Sequence, residues 1–152
     1  MEVKAPGIYV PMHGKTIFLA GSIEMGSAID WQTELVSKFD VSEVLFLNPR
    51  RDAWDSSWEQ SISNPDFKQQ VTWELRGIEY ADLVVFVFDP NTKSPVTLLE
   101  LGLATGLGRS VVIYCPKPFW RKGNVDIVAA RYGLPMVNDL KELIDYISNF
   151  LY

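Results

Sequence analysis

At 152 residues, with 47% hydrophobic and 22% charged side chains, the chain has room for one domain with a conventional core. Its formal charge of −5 argues against a nucleic-acid polymer as ligand, because phosphate backbones are held on basic faces. No run reaches the roughly 18 apolar residues of a membrane span, and the one cysteine, Cys115, has no partner for an intramolecular disulfide. Residues 1–14 read as a leader without the charged and apolar regions of a secretion signal. A cytoplasmic protein with no membrane association is the expectation, organised as a single domain over residues 1–152.

Four apolar runs, residues 16–20, 44–47, 83–88 and 110–114, are rich in β-branched and aromatic side chains. Their near-continuous hydrophobicity predicts strands covered on both faces, as in a parallel sheet. The first run leads into Gly21-Ser22-Ile23-Glu24-Met25-Gly26 and then a helix over about residues 27–39, with Ile29, Leu35 and Phe39 at helical intervals. After the second run comes a long irregular stretch, residues 48–66, holding Trp54 and Trp58. Loops of that length inside a domain tend to be functional or disordered, and two tryptophans argue against disorder. A helix over about 67–80 follows, with Phe67, Val71, Leu75 and Ile78 on one stripe. Ser94-Pro95, a capping residue with proline at the first helical position, opens a helix that runs to about 107. A short helix near 125–130, a weak fifth strand at 135–137 and a last helix over 139–150 complete the chain. Alternating strands and helices predict a doubly wound α/β fold, a five-stranded parallel sheet with helices on both faces.

Parallel α/β sheets bind ligands beyond the carboxyl ends of their strands. Glu100 falls near the start of the helix after the third strand, where a carboxylate is either a nucleophile held in its charged form or an ordinary surface acid. Glu74, beside the apolar stripe of its helix, is either solvated or shares a cleft with Glu100. In the second case repulsion and desolvation would push one pKa up while the other group stays ionised, the division of labour that glycosyl transfer needs. Gly21 and Ser22 offer backbone N–H groups and a hydroxyl to a phosphate or sugar, or form a plain turn. Asp89 at the end of the third strand either enters the cleft or forms a turn. Arg50 and Arg51 either hold a phosphate or carboxylate or pair at the surface with Asp52 or Asp55. The tryptophans either stack on a planar base or pack the loop. The only histidine, His13, is not taken as catalytic. No ligand spacing for a metal and no base near Cys115 is present in the sequence, so neither a metal site nor a thiol nucleophile is expected.

The order of these elements resembles the nucleoside 2-deoxyribosyltransferase family and its nucleotide N-glycosidase relatives. The resemblance runs from about Lys15 to Val125: the first strand into Gly21-Ser22-Ile23, the helix Glu74-Leu75-Arg76-Gly77-Ile78-Glu79-Tyr80-Ala81-Asp82, then Leu99-Glu100-Leu101-Gly102 and Gly123-Asn124. It implies a flavodoxin-like sheet and an enzyme that forms a covalent glycosyl intermediate on Glu100 and needs no cofactor. It further implies Glu74 as the acid serving the base, and Gly21 and Ser22 at the sugar or its 5′-phosphate. Asn124 would be lent by a neighbouring subunit of a dimer or larger assembly. Two positions depart from the family: Ser94 stands where transferases carry an aspartate about six residues before the nucleophile, and Glu74 replaces an aspartate. The substrate implied is a small nucleoside or nucleotide. A non-catalytic nucleotide-binding module and a glycosidase acting on a larger ribosyl ligand such as NAD are the rival readings.

Overall fold

The structure, a computed structural model, describes residues 1–10, 14–23 and 28–152. His13 and the Glu24-Met25-Gly26-Ser27 part of the first loop lie outside the described residues. Among the described residues six strands are present, β1 (Glu2–Lys4), β2 (Lys15–Gly21), β3 (Val44–Asn48), β4 (Leu83–Val87), β5 (Val111–Tyr114) and β6 (Met136–Val137). They form one sheet in the order β1-β3-β2-β4-β5-β6, every pairing parallel. The expected five-stranded sheet therefore gains a sixth member. Strands β3-β2-β4-β5-β6 follow the 2-1-3-4-5 order of flavodoxin-like sheets, and β1 adds itself to the outer edge of β3. Its three residues, Glu2-Val3-Lys4, carry no apolar run of their own.

Among the described residues five helices complete the crossovers: α1 (Trp31–Val36), α2 (Pro65–Tyr80), α3 (Pro95–Gly106), α4 (Lys122–Tyr132) and α5 (Leu140–Leu151). Side chains alternate across the strands, and the two faces bury separate cores. On one, Phe18, Leu47, Val84, Phe86 and Ile113 meet Trp73 and Ile78 of α2, Leu101 and Ala104 of α3, and Val125 and Ala129 of α4. On the other, Ile17, Leu19, Phe46, Val85 and Val112 meet Trp31 and Leu35 of α1 and Leu143 and Ile147 of α5. Full burial of such strands on both sides is what their unbroken apolar sequence requires.

Two helices differ from their expected form. The first is α1, only six residues long, which starts at Asp30: its Oδ1 accepts from Thr33 N at 3.1 Å, and Ile29 lies outside it at 70% exposure. In α2 the buried residues are Gln70, Trp73, Gly77 and Ile78, while Leu75 points outward. Gly77 lets this helix sit close: a Cβ there would lie 2.4 Å from Phe18 Cδ2. Asn64 caps α2, its Oδ1 accepting from Asp66 N and Phe67 N at 3.1 Å.

Candidate active site

The strand order reverses at β2, so a crevice opens between the carboxyl ends of β2 and β4. A cleft of about 300 Å³ lies there. One wall is the loop after β3 with the inner face of α2: Pro49, Arg51, Trp54, Phe67, Val71 and Glu74. The other is the end of β2 with the first turns of α3: Gly21, Ile23, Ser94, Pro95, Thr97 and Glu100. Gly21 is required where β2 ends, because a Cβ would lie 2.4 Å from Val87 O and 2.7 Å from Trp31 Cζ2.

Glu74 and Glu100 thus come to one cleft from two helices, and both are half-buried. Burial pushes the Glu74 pKa from 4.5 up to about 7, against the pull of a hydrogen bond from Gln70. Burial likewise lifts Glu100 well above the usual carboxylate range, and the charge on Glu74 adds to it. Glu100 is the sixth residue of α3, past the first turn in which the helix dipole acts. The expected stabilisation of its charge by the helix start is therefore absent, and desolvation decides its state. Two buried carboxyls facing one cleft titrate as a pair, and the pair holds a proton into the neutral range.

Ser94 opens α3 without capping it through its side chain. Its backbone is left-handed, φ 46° and ψ 51°, a conformation that costs a non-glycine residue about 1–2 kcal/mol. The Oγ turns instead into a buried hydroxyl cluster with Ser22 and Thr92, with Thr92 Oγ1 2.7 Å from Ser94 Oγ and 3.0 Å from Ser22 Oγ. Ser22 Oγ also accepts from Asp89 N at 2.8 Å, so the end of β2 and the loop after β4 are joined. Behind Ser94, Trp120 Nε1 donates to Lys93 O at 2.8 Å, which ties the loop after β5 to the same segment.

The remaining expected residues fall in different places. Asp89 is a turn former: its Oδ1 accepts from Asn91 N at 2.9 Å, and it is not among the cleft-lining residues. Arg50 pairs not with Asp52 or Asp55 but with Asp30, at 3.4 Å, and its Nη2 donates to Ala28 O at 3.1 Å and Ile29 O at 3.0 Å. That arginine clamps the segment before α1. Arg51 lies 4.8 Å from the Trp58 ring centroid, Trp54 packs edge-on to Trp58 at 5.0 Å, and Arg51 has no carboxylate within 4.0 Å among the described residues. Asn124 is exposed on α4, outside its own cleft. Two participants were not singled out from the sequence. Gln70 precedes Glu74 by four residues, the helical neighbour spacing that could have flagged it. Thr92 completes the hydroxyl cluster, and its position between Asp89 and Ser94 was the available signal.

Among the described residues no group of three or more His, Cys, Asp or Glu is placed to hold a metal, and no helix is long and apolar enough to cross a membrane.

Fold and cleft together define a parallel α/β domain with paired carboxyls at its topological switch point. Residues 14–119 match the family described as nucleoside 2-deoxyribosyltransferase like, and the chain belongs to that family. No curated protein matches the sequence. Among solved structures, the chain is similar to a conserved protein from Enterococcus faecalis V583, at 18% identity and a TM-score of 0.62. That likeness covers 91% of this chain and 99% of the other, and it shows a shared fold.

Proposed function

We propose that the protein cleaves the N-glycosidic bond of a nucleoside, deoxynucleoside or nucleoside 5′-monophosphate through a covalent glycosyl-glutamate intermediate. The observation that carries this reading is the convergence of Glu74 and Glu100 on one cleft, where burial makes the pair hold a proton near neutrality. Of the pair's two singly protonated forms, the one with the proton on Glu74 is the reactive one, and its Glu100 carboxylate attacks C1′. The C1′–N bond breaks, and its electron pair goes to the base nitrogen, which takes the proton from Glu74. A second base or water then attacks C1′, the ester to Glu100 breaks, and Glu74 recovers a proton from the incoming group. Gly21 and Ser94, which line the cleft, are assigned to the sugar and its 5′ end, while Ser22, 1% exposed and outside the lining, supports them through the hydroxyl cluster. The chemistry needs no cofactor, since protonation activates the leaving base.

Asn124 of one subunit is assigned to the cleft of its neighbour in a homo-oligomer. Val96 and Leu99, 55% and 72% exposed on α3, leave an apolar surface that such an assembly would cover.

The test is Glu100→Ala against a panel of nucleosides and 5′-monophosphates, with base release followed by chromatography. Activity in the parent and its loss in the folded variant are expected; retained turnover refutes the assignment. Incubation with a 2′-fluoro-arabino nucleoside should leave a glycosyl adduct on Glu100, read by mass spectrometry of peptides. Tight nucleotide binding by the parent with no product would favour the binding-module reading instead.

A further inference from the structure

Gln70 is 4% exposed on the inner face of α2. Its Nε2 donates to Pro49 O at 2.8 Å and to Glu74 Oε1 at 2.8 Å. A peptide carbonyl can only accept, so the amide cannot be turned round: its oxygen would then face Pro49 O. Both hydrogens of the NH2 group are committed, one to the loop and one to the acid. The loop end is itself anchored. Asn48 Oδ1 accepts from Arg50 N at 3.0 Å, Asn48 Nδ2 donates to Glu2 Oε1 at 2.7 Å, and Ala5 N donates to Asn48 O at 3.0 Å.

We propose that Gln70 is a positioning residue for the carboxyl pair, fixing which Glu74 oxygen carries the proton delivered to the leaving base. This rests on the glycosyl-transfer reading above. The oxygen that receives the Gln70 N–H takes the carbonyl role in a neutral carboxylic acid, because a carbonyl oxygen accepts and a hydroxyl oxygen bears the hydrogen. The proton is therefore on Oε2, and from there it passes to the base nitrogen as the C1′–N bond breaks. Gln70 also holds the carboxyl plane, which leaves Glu74 one rotamer in which Oε1 is occupied and Oε2 is the donor. The other charged groups lining the cleft among the described residues are Glu100 from α3 and Arg50 and Arg51 from the loop after β3. Of these, Arg50 is held by Asp30.

The experiment uses the full chain, Gln70→Met and Gln70→Glu. Glu74 is titrated by NMR on protein carrying carboxyl-labelled glutamate, with its resonance assigned from Glu74→Gln. In Gln70→Met the hydrogen bond that favours the carboxylate is gone, so the midpoint should rise by about one to two pH units. Base release from the most active nucleotide of the panel should lose about 10- to 100-fold in kcat, a part of the roughly 100- to 10,000-fold a placed general acid contributes, with KM little changed. The basic limb of its pH profile should move up with the midpoint, a combination that a merely structural role would not produce. If Gln70→Met does not fold, near-isosteric Gln70→Glu raises the midpoint by placing a second carboxylate beside Glu74. An unmoved Glu74 midpoint in the folded variant overturns the proposal. A moved midpoint in a protein that releases no base from any nucleoside or nucleotide upholds the positioning and removes the glycosyl reading.

Discussion

Neutralising Glu74 should stabilise the folded protein above neutral pH and leave it unchanged in acid. The variant is Glu74→Gln, whose Oε1 still accepts from Gln70. In the folded chain burial carries the Glu74 midpoint from 4.5 to about 7. Each pH unit of displacement corresponds to about 1.4 kcal/mol, so ionising this carboxyl in the native state costs about 3 kcal/mol more than in the unfolded chain. The cleft is open on one side and solvent screens part of that cost, which leaves an expected effect of about 1–3 kcal/mol. The sign follows from proton uptake. Below pH 4.5 both states hold the proton and no penalty exists. Between 4.5 and about 7 the native state binds more protons than the unfolded one, so stability falls as pH rises. Above that window the full penalty is present. Urea unfolding of parent and variant at about pH 4 and pH 8.5 measures it: the curves should nearly coincide in acid, with the variant midpoint higher in base. A stability difference of the same size at both pH values would refute the argument that burial of a charge is its source.

Other outcomes follow from the packing. Gly77→Ala should destabilise by about 1–3 kcal/mol in thermal or urea unfolding, because Phe18 has no room for a Cβ. The usual helical gain from alanine is about 1 kcal/mol and does not offset it. Arg50→Met should raise amide hydrogen exchange at residues 28–33 and cost about 0.5–1.5 kcal/mol, since the carbonyls of Ala28 and Ile29 lose their donor. Cys115 is 4% exposed and burial pushes its thiol up to about 11, so a colorimetric disulfide reagent at pH 8 should label it only after unfolding. Leu99→Glu should reduce the sedimentation coefficient if the exposed face of α3 joins two subunits, and leave it unchanged otherwise.

The four main strands were legible because a run such as Leu83-Val84-Val85-Phe86-Val87 can be satisfied only by cover on both faces. Edge strand β1 was not, since Glu2-Val3-Lys4 has polar ends and becomes a strand by pairing with β3. Phe67, Val71, Leu75 and Ile78 were expected on one stripe of α2, and of these Phe67 and Val71 face the cleft. Hydrophobic period marks a helix's buried side without distinguishing a sheet from a ligand cavity. Topology put Glu100 at the carboxyl edge of the sheet and left Glu74 either solvated or beside it. Their common desolvation could not be read, because it depends on atoms brought in from separate helices. Arg50 shows the same limit: its carboxylate partner is 20 positions away, while nearer acids lay in plain view. Ser94-Pro95 did mark the helix start, but the serine hydroxyl went to a partner 72 residues distant instead of to the helix end.

The tripeptide Asn48-Pro49-Arg50 touches three different parts of the molecule through three consecutive residues. Asn48 holds the edge strand, Pro49 O the glutamine beside the acid, and Arg50 the segment leading to α1. A displacement of this one link would be felt at once by the edge strand, by the α2 wall of the cleft and by the segment leading to α1. The outermost strand, which lends no atom to the cleft lining, thereby acts as the abutment against which the wall carrying Glu74 is braced.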